Sequence, residues 1–411
     1  MLKNTKKVLF SLLIFTFVIR ILFAFVYIDF NSEVFYYEYG NINKNIIAGK
    51  GYSLFYIENG SIKYEFNPKA QPAPSAYMPP GYSILTLPIF LIQNIYLRNV
   101  VIMLFQSLLA VLAALFLYKL TAYLFNEQSA IIAVTLYAFL PEFIYATTSF
   151  GPTLIYHIFI ALIFYQLALY QKSKEKKYIL RVFLLASILI LFRMEFFLFS
   201  FLLIIYFIIL KEFKLSITGI ILISFALIPW QARNYLTFGT FIPFTTSNGL
   251  NLYRGHNLEN PGIWADDSVD AKLKALKMSK NFEVELNKMY TKQASNAITT
   301  NGLSGELNLA VRKLFNLWIY YPGDSKSKNL FYLAPWIVLL ALSILGIIKT
   351  FEINKFAMFY LFYIYHSTLA IVYFSLPRYQ TMMKIALLPF AAFYIFYIIK
   401  NISAFKIKTK M

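Results

Sequence analysis

The sequence predicts an all-α polytopic membrane protein, and three observations lead to that fold class. Hydrophobic residues make up 59% of the 411-residue chain, whereas charged residues make up only 14%, well below the roughly 25% of soluble proteins. About eleven apolar runs each come close to the ~20 residues that cross a bilayer. Basic residues cluster between those runs, which is the pattern that orients membrane helices. A soluble enzyme, a disordered chain and a fibrous repeat are therefore excluded.

The basic residues do not indicate a nucleic-acid partner, although the formal net charge is +19. Lysines stand in short clusters between apolar runs, so membrane orientation accounts for them. The chain contains no cysteine, which excludes disulfides, iron–sulfur clusters and thiolate chemistry. No cluster of residues in the sequence demands a metal or another cofactor, and a divalent metal stays compatible with it.

The apolar runs give the expected helices in order. They cover about residues 8–28, 82–97, 100–118, 129–148, 152–170, 179–192, 194–210, 215–230, 328–348, 356–374 and 382–399. The first run is too long for a signal peptide and no small-residue cleavage site follows it, so we expect a retained helix. Two polar stretches, 30–81 and 231–327, are expected to form long loops within a single membrane domain, 1–411.

The basic clusters give the expected orientation, because they should face the cytoplasm. If every run crossed the membrane, Lys119 and the cluster at 172–177 would lie outside. If the run at 82–97, which contains Pro88, dips in without crossing, every basic cluster faces the cytoplasm. We therefore predict about ten transmembrane helices and one re-entrant or surface helix. Both termini are then cytoplasmic, and both long loops are extracytoplasmic.

Arginines concentrate on the expected outer side. The chain has 8 Arg and 30 Lys, and five of the arginines lie in outward-facing segments: Arg98, Arg193, Arg233, Arg254 and Arg378. Positive charges there oppose the orientation rule and need another reason. Because arginine binds phosphate through two parallel hydrogen bonds, an anionic lipid headgroup is one explanation. Pairing with nearby carboxylates or carbonyls is the other.

The first outer loop offers carboxylates close to the membrane surface. Asp29, Glu33 and Glu38 follow the first apolar run, and each could take a proton from an acceptor hydroxyl. The alternative is that they are a helix cap and solvated surface charges. Ser32 is expected to cap a helix that stops at Gly49.

The second outer loop contains amides among glycines. Arg233 and Asn234 lie where the preceding helix leaves the bilayer, and Asn248 and Asn251 follow. Such amides and glycines suit close hydrogen bonding to sugar hydroxyls or phosphate, although an irregular loop has the same composition. Further on, a helix is expected over 271–318, preceded by the acidic residues Asp266, Asp267 and Asp270.

One stretch of the chain resembles a known enzyme family. Residues 229–257 resemble the PWxxRNxxxFGxxxPxxTNxGxNLxxGNN region of GT-C membrane glycosyltransferases, in the branch of protein O-mannosyltransferases and aminoarabinose transferases (family 39-like). Weaker matches occur in the same order along nearly the whole chain. They are Asn45–Ser53 (NxxxGKG[FY]S), Pro79–Tyr82 (PPGYP), Leu191–Glu195 (LTRPE) and Pro377–Tyr379 (xRYxxP).

The resemblance implies a polyprenyl-phosphate sugar donor, a carboxylate base in the first outer loop and arginines that hold the lipid phosphate. The family's acidic residue usually stands fourteen positions before the glycine that matches Gly49, and Phe35 occupies that position here. Glu33 is the first choice for the base, because it opens the helix nearest the membrane exit. Glu38 and Asp29 are alternatives, and an inactive relative is another.

The expected binding residues combine the outer arginines with their polar neighbours. They are Arg98, Arg193, Arg233, Asn234, Asn248, Asn251, Arg254, Arg378 and Tyr379. In the expected reaction a hexosyl or pentosyl group moves from the lipid phosphate to a hydroxyl of a cell-surface glycan, lipid or protein, at the outer face of the membrane.

Two other functions share the lipid carrier. A transporter or flippase of lipid-linked sugars would show internal symmetry between its halves, and the sequence shows no clear repeat. A polysaccharide polymerase or ligase would use an oligosaccharide donor. The richness in Lys, Asn, Ile and Phe is typical of a bacterium with an AT-rich genome, so the expected location is a bacterial inner membrane.

Overall fold

The computed structural model describes residues 2–258, 278–323 and 325–408, and most of these residues are helical. In chain order the helices are α1 (Leu2–Tyr27), α2 (Tyr37–Ile47), α3 (Pro80–Thr86), α4 (Ile95–Leu124), α5 (Glu127–Phe139), α6 (Pro141–Tyr145), α7 (Thr153–Ser173), α8 (Lys176–Phe192), α9 (Phe196–Ile209), α10 (Phe213–Phe238), α11 (Asn248–His256), α12 (Phe282–Trp318), α13 (Ser325–Lys328), α14 (Leu330–Lys349), α15 (Ile353–Val372) and α16 (Pro377–Lys408). Short 3₁₀ turns cover Val34–Tyr36, Leu87–Leu91 and Ala146–Thr148.

The expected fold class is confirmed, because the described residues contain seven helices that are long and apolar enough to cross a membrane. These are α1, α4, α7, α10, α14, α15 and α16. An eighth span is formed if α5 and the segment Pro141–Thr148 are taken together, and this pair bends by 62° at Pro141, where proline removes a helical hydrogen bond.

Two helices are shorter than a full span. Helix α8 has 17 residues and α9 has 14, so they are about 26 and 21 Å long at 1.5 Å per residue, against a ~30 Å hydrocarbon core. The count of ten crossings therefore stays a prediction. The run at 82–97 forms only the short apolar unit Pro80–Leu91, as expected for a segment that does not cross.

Small residues bring the central helices together. Helix α4 packs on α5 and α7, and α16 packs on α5, α7 and α14. Ala110, Ala113 and Ala114 of α4 are fully buried, and such small side chains let membrane helices approach closely. Arg20 of α1 is buried in the bundle, where it donates to the carbonyls of Thr16 and Tyr137 at 3.1 and 3.0 Å.

The first long loop, residues 30–81, differs from the single helix expected from its sequence. Backbone at Tyr37 has φ +47°, so a 3₁₀ turn and α2 replace one continuous helix from Ser32. The expected end is confirmed, because α2 stops just before Gly49, which has φ +74°. The loop continues with a small antiparallel hairpin, β1 (Tyr56–Glu58) and β2 (Ser61–Lys63), in which Ile57 lies opposite Ile62.

The second long loop, residues 231–327, contains helices α11 and α12. Helix α11 packs against α12, and α12 is kinked at Gly302, where φ is +61°. The described part of the helix expected over 271–318 is helical from Phe282 onward. The acidic residues Asp266, Asp267 and Asp270 and the expected start of that helix lie outside the described residues.

Candidate active site

A cavity of about 750 Å³ opens where the two long loops, 30–81 and 231–327, meet the ends of the membrane helices. Its walls come from α2, the turn between α8 and α9, the segment 240–248, α11, α12 and the junction of α15 with α16. Among the described residues of its lining, four are basic and two are carboxylates, and this part of the wall favours an anionic ligand. The charged and amide-bearing residues of its lining are Glu38, Arg193, Glu195, Asn248, Asn251, Arg254, Asn287, Lys288 and Arg378.

Glu38 is the carboxylate of the first loop that reaches this cavity. It is half-buried in the first turn of α2. Among the described residues its side chain forms no hydrogen bond or salt bridge, and it attracts Arg378 electrostatically. A carboxylate with open acceptor positions, inside a cavity, has what a general base requires.

Glu33 and Asp29 do not line the cavity. Glu33 forms a salt bridge to Lys44 and a second one to Arg98 at 2.5 Å. Asp29 is exposed and accepts a hydrogen bond from the backbone N–H of Asn31 at 2.9 Å. Glu33 is therefore the centre of a structural ion-pair network, and Asp29 stabilises a turn.

Arg193 and Arg378 both line the cavity, although they lie far apart in the sequence. The Tyr379 ring lies against both guanidinium groups, 5.5 Å from Arg193 and 5.4 Å from Arg378, a distance at which cations interact with aromatic rings. Arg193 also forms a salt bridge to Glu195 at 2.6 Å. Tyr379 therefore holds two cations in one wall.

The second loop supplies the amides of the cavity. Asn248 and Asn251, at the beginning of α11, both face the cavity, and Asn248 accepts a hydrogen bond from the Tyr373 hydroxyl at 2.5 Å. Gly249 allows α11 to lie against α12, because a side chain there would come within 2.3 Å of the Asn287 carbonyl. Arg254, in the last turn of α11, also lines the cavity.

The other expected ligands lie outside the cavity. Arg98 donates to Glu33 and to the Tyr36 hydroxyl, at 2.5 and 2.7 Å. Arg233 donates to the carbonyls of Ser75 and Tyr52 at 2.6 and 2.9 Å. The neighbouring Asn234 is buried and accepts a hydrogen bond from Arg233. These side chains hold the loops together instead of presenting donors to a ligand.

A buried carboxylate connects the two long loops behind the cavity. Glu283 of α12 accepts hydrogen bonds from the Ala76 N–H at 2.8 Å and the Thr246 hydroxyl at 2.6 Å. Its burial raises the pKa of the Glu283 carboxyl from 4.5 to about 7, although these hydrogen bonds and the charge of Arg233 act in the other direction. The cavity wall around Tyr77 and Thr246 is therefore held by a group that titrates near neutral pH.

Sequence reasoning missed several polar residues of the cavity. Glu195 stands two positions after Arg193 in the LFRME stretch, a signal that was available. Asn287 and Lys288 lie on α12 without a distinctive local pattern. The His366 ring bonds the Tyr156 hydroxyl at 3.0 Å, and both side chains line the cavity. The described residues contain no group of three or more metal-ligating side chains.

Comparisons with known proteins agree on the fold. Residues 79–231 match the family model described as dolichyl-phosphate-mannose-protein mannosyltransferase. No curated protein sequence matches the chain. The oligosaccharyltransferase AglB from Archaeoglobus fulgidus, solved in complex with an inhibitory peptide and a dolichol-phosphate, is 12% identical with a TM-score of 0.58, and the match covers 99% of this chain and 51% of that one.

Two further solved structures are similar. The apo form of the Archaeoglobus fulgidus oligosaccharyltransferase has a TM-score of 0.57 at 11% identity, covering 98% of this chain and 52% of that one. ArnT from Cupriavidus metallidurans, bound to undecaprenyl phosphate, has a TM-score of 0.42 at 12% identity, covering 94% and 76%. The chain spans about half the length of the oligosaccharyltransferases. It therefore has the GT-C glycosyltransferase membrane fold, and residues 79–231 carry the sequence pattern of the mannosyltransferase model.

Proposed function

We propose that this chain is a membrane glycosyltransferase that moves a sugar from a polyprenyl-phosphate donor to an acceptor hydroxyl. One observation carries the proposal: a single cavity holds an unpaired carboxylate, Glu38, together with Arg193, Arg254 and Arg378. A base and a cluster of phosphate-binding cations are the two parts that such a transfer needs. The dolichol-phosphate and peptide named with AglB support a lipid-phosphate donor and a surface acceptor.

In the proposed reaction Glu38 takes the proton of the acceptor hydroxyl, whose oxygen forms a bond to the anomeric carbon. The bond between that carbon and the phosphate oxygen breaks, and the phosphate leaves with the electron pair. Arg378 and Arg193 neutralise the charge that develops on the leaving phosphate. Because the leaving group is already a stabilised anion, positioning of the two substrates contributes much of the rate.

Glu38 replaces Glu33 as the proposed base. Glu33 already bonds Lys44 through one carboxylate oxygen and Arg98 through the other. Glu38 has neither partner and faces the cavity. The sugar acceptor is a glycan, a lipid or a protein.

The basic clusters also support an orientation. We infer that both termini face the cytoplasm of a bacterial inner membrane, which places the cavity at the outer surface. A lipid-linked donor would then enter from the outer leaflet, and its phosphate would meet the arginines at headgroup level.

Sugar transfer by purified protein in proteoliposomes tests the proposal. The donors are radiolabelled polyprenyl-phosphate sugars, and a total membrane extract supplies the acceptor. We expect Glu38→Gln to lower kcat at least ~100-fold, the usual range for a lost general base. Asp29→Asn is the matched control and is expected to keep activity.

The Glu33→Gln variant separates the two candidate bases. We expect it to lower the unfolding temperature while transfer, measured on the folded fraction, stays within a few-fold of the wild type. Loss of transfer in Glu33→Gln with full activity in Glu38→Gln would reverse the assignment. An absence of transfer from any donor, with labelled lipid still crossing the bilayer, would favour a flippase.

A further inference from the structure

A second cavity of about 110 Å³ shares one residue, Arg378, with the first. It lies between α6, the start of α7, the start of α14 and the first two turns of α16. Glu142 and Lys384 line it, and neither takes part in the proposed transfer. The volume holds several waters or one small polar headgroup.

A buried ion pair forms one wall of this second cavity. Lys384 Nζ lies 2.6 Å from Glu142 Oε2, and the two side chains are only 1% and 11% exposed. The ammonium also lies 3.9 Å from the centre of the Trp336 ring. Ionisable groups inside a membrane bundle are costly and are usually retained for a function instead of for stability.

The second carboxylate oxygen of Glu142 takes no part in this ion pair. Glu142 Oε1 is buried and has no hydrogen-bond partner among the described residues. A buried carboxylate oxygen without a donor is unfavourable. The cavity therefore offers an open acceptor in addition to the two cations Lys384 and Arg378, and suits a ligand that is anionic at one point and carries a donor at another.

The position of the cavity indicates where such a ligand comes from. Helices α7, α14 and α16 all begin at this cavity, so it lies at the membrane surface and not at the bilayer centre. Its lining is rich in Tyr and Trp, which are enriched at headgroup level. The hydroxyl and aromatic residues of the wall are Tyr145, Ser149, Thr153, Tyr320, Ser327, Tyr332, Trp336 and Thr381.

We infer that this second cavity binds the phosphate-bearing headgroup of a membrane lipid, next to the main cavity. Lys384 and Arg378 neutralise the phosphate, and Glu142 Oε1 accepts a hydrogen bond from a hydroxyl of the headgroup. Because Arg378 lines both cavities, the bound lipid is placed beside the proposed donor phosphate. The inference concerns binding alone, so it does not depend on sugar transfer.

Thermal unfolding of the purified full chain in detergent tests the inference. The probes are short-chain phosphatidylglycerol and, separately, inorganic phosphate at the same concentration. We expect the lipid to raise the unfolding temperature in a saturable manner and the inorganic phosphate to have no such effect. Equal effects of both probes would show a site for free phosphate and overturn the lipid assignment.

Three variants distinguish a ligand site from a structural ion pair. We expect Lys384→Met to weaken the apparent lipid affinity at least tenfold, whereas Glu142→Gln, which keeps the hydrogen-bonding group and removes no cation, stays within threefold. Lys349→Met, which removes a lysine from the opposite end of α14, is the control and should bind normally. Equal losses in the first two variants would overturn the inference, because a merely structural pair breaks equally from either side.

A cavity-filling variant covers the case in which Lys384→Met does not fold. Leu333 lines the second cavity from α14 and is absent from the lining of the first. We expect Leu333→Trp to abolish the stabilisation by lipid while the ion pair stays intact. Lipid stabilisation that survives this substitution would place the lipid elsewhere and refute the inference.

Discussion

The arginines of this protein differ in what their N–H groups already bond. Arg98 donates to Glu33, Tyr36 and the Ile92 carbonyl, so its donors are used within the fold. Arg378 forms no salt bridge among the described residues and opens to both cavities. A guanidinium binds phosphate well only when two parallel donors are available, so Arg378 is the better phosphate ligand of the two.

Arg378→Gln and Arg98→Gln should therefore have opposite consequences. We expect Arg378→Gln to weaken the binding of polyprenyl phosphate at least ~10-fold, about 1.4 kcal/mol, with little change in unfolding temperature. Arg98→Gln should leave that affinity unchanged and lower the free energy of unfolding by about 2 kcal/mol, because it breaks charged hydrogen bonds. A binding titration with polyprenyl phosphate measures the affinity, and an unfolding experiment measures the change in stability. Weaker lipid binding in Arg98→Gln alone would contradict this division.

At the scale of elements, two long loops that are far apart in sequence close one cavity. Arg233 at the end of α10 bonds the carbonyls of Tyr52 and Ser75 in the first loop. Glu283 at the start of α12 bonds Ala76 of the first loop and Thr246 of the second. Breaking either connection should separate the loops and open the cavity.

Glu283 should make stability depend on pH in a defined window. Its pKa is about 7 in the folded protein and 4.5 ordinarily, so the folded state binds the extra proton between these values. The stabilising contribution of Glu283 is fully present below pH 4.5 and is lost as pH rises to 7. Over this range the free energy of unfolding falls by about 3 kcal/mol, at 1.36 kcal/mol per pKa unit. We expect Glu283→Gln to remove this slope in denaturant unfolding, whereas the exposed Glu285→Gln should keep it. A wild-type curve without the slope would refute the assignment.

Gly255 controls how closely α11 approaches the end of α15. A Cβ at this position would lie 1.7 Å from the Tyr373 carbonyl oxygen, so the backbone must move to admit a methyl group. Since Tyr373 lines the main cavity, we expect Gly255→Ala to cost at least 1–3 kcal/mol of stability, as overpacking usually does, and to raise KM for the donor. Gly151→Ala, which meets nothing within 4 Å, is the control. Wild-type stability in Gly255→Ala would contradict the close contact.

At the scale of the whole molecule, the sequence predicted the helices better than the site. The residue composition and the hydrophobic periodicity of a segment determine an apolar helix locally. Most of the spans, and the end of α2 at Gly49, could therefore be predicted. The break in the helix at Tyr37, where φ is +47°, decides which carboxylate faces the arginines. No local sequence pattern predicts this break. The pair of Glu142 and Lys384 joins residues 242 positions apart, which only the packing of helices brings together.

The transmembrane topology is the remaining prediction at this scale, and the absence of cysteine makes it directly measurable. Single cysteines at the exposed Lys69 and Lys177 and at the partly exposed Lys355 would be labelled in intact cells with a membrane-impermeable maleimide. If Pro80–Leu91 does not cross, Lys69→Cys reacts in intact cells, and the other two react only after the membrane is disrupted. Labelling of Lys177→Cys in intact cells would mean that 82–97 spans the bilayer. That result would break the agreement of the basic clusters with a cytoplasmic location and would move the α8–α9 turn, which carries Arg193, to the inner side.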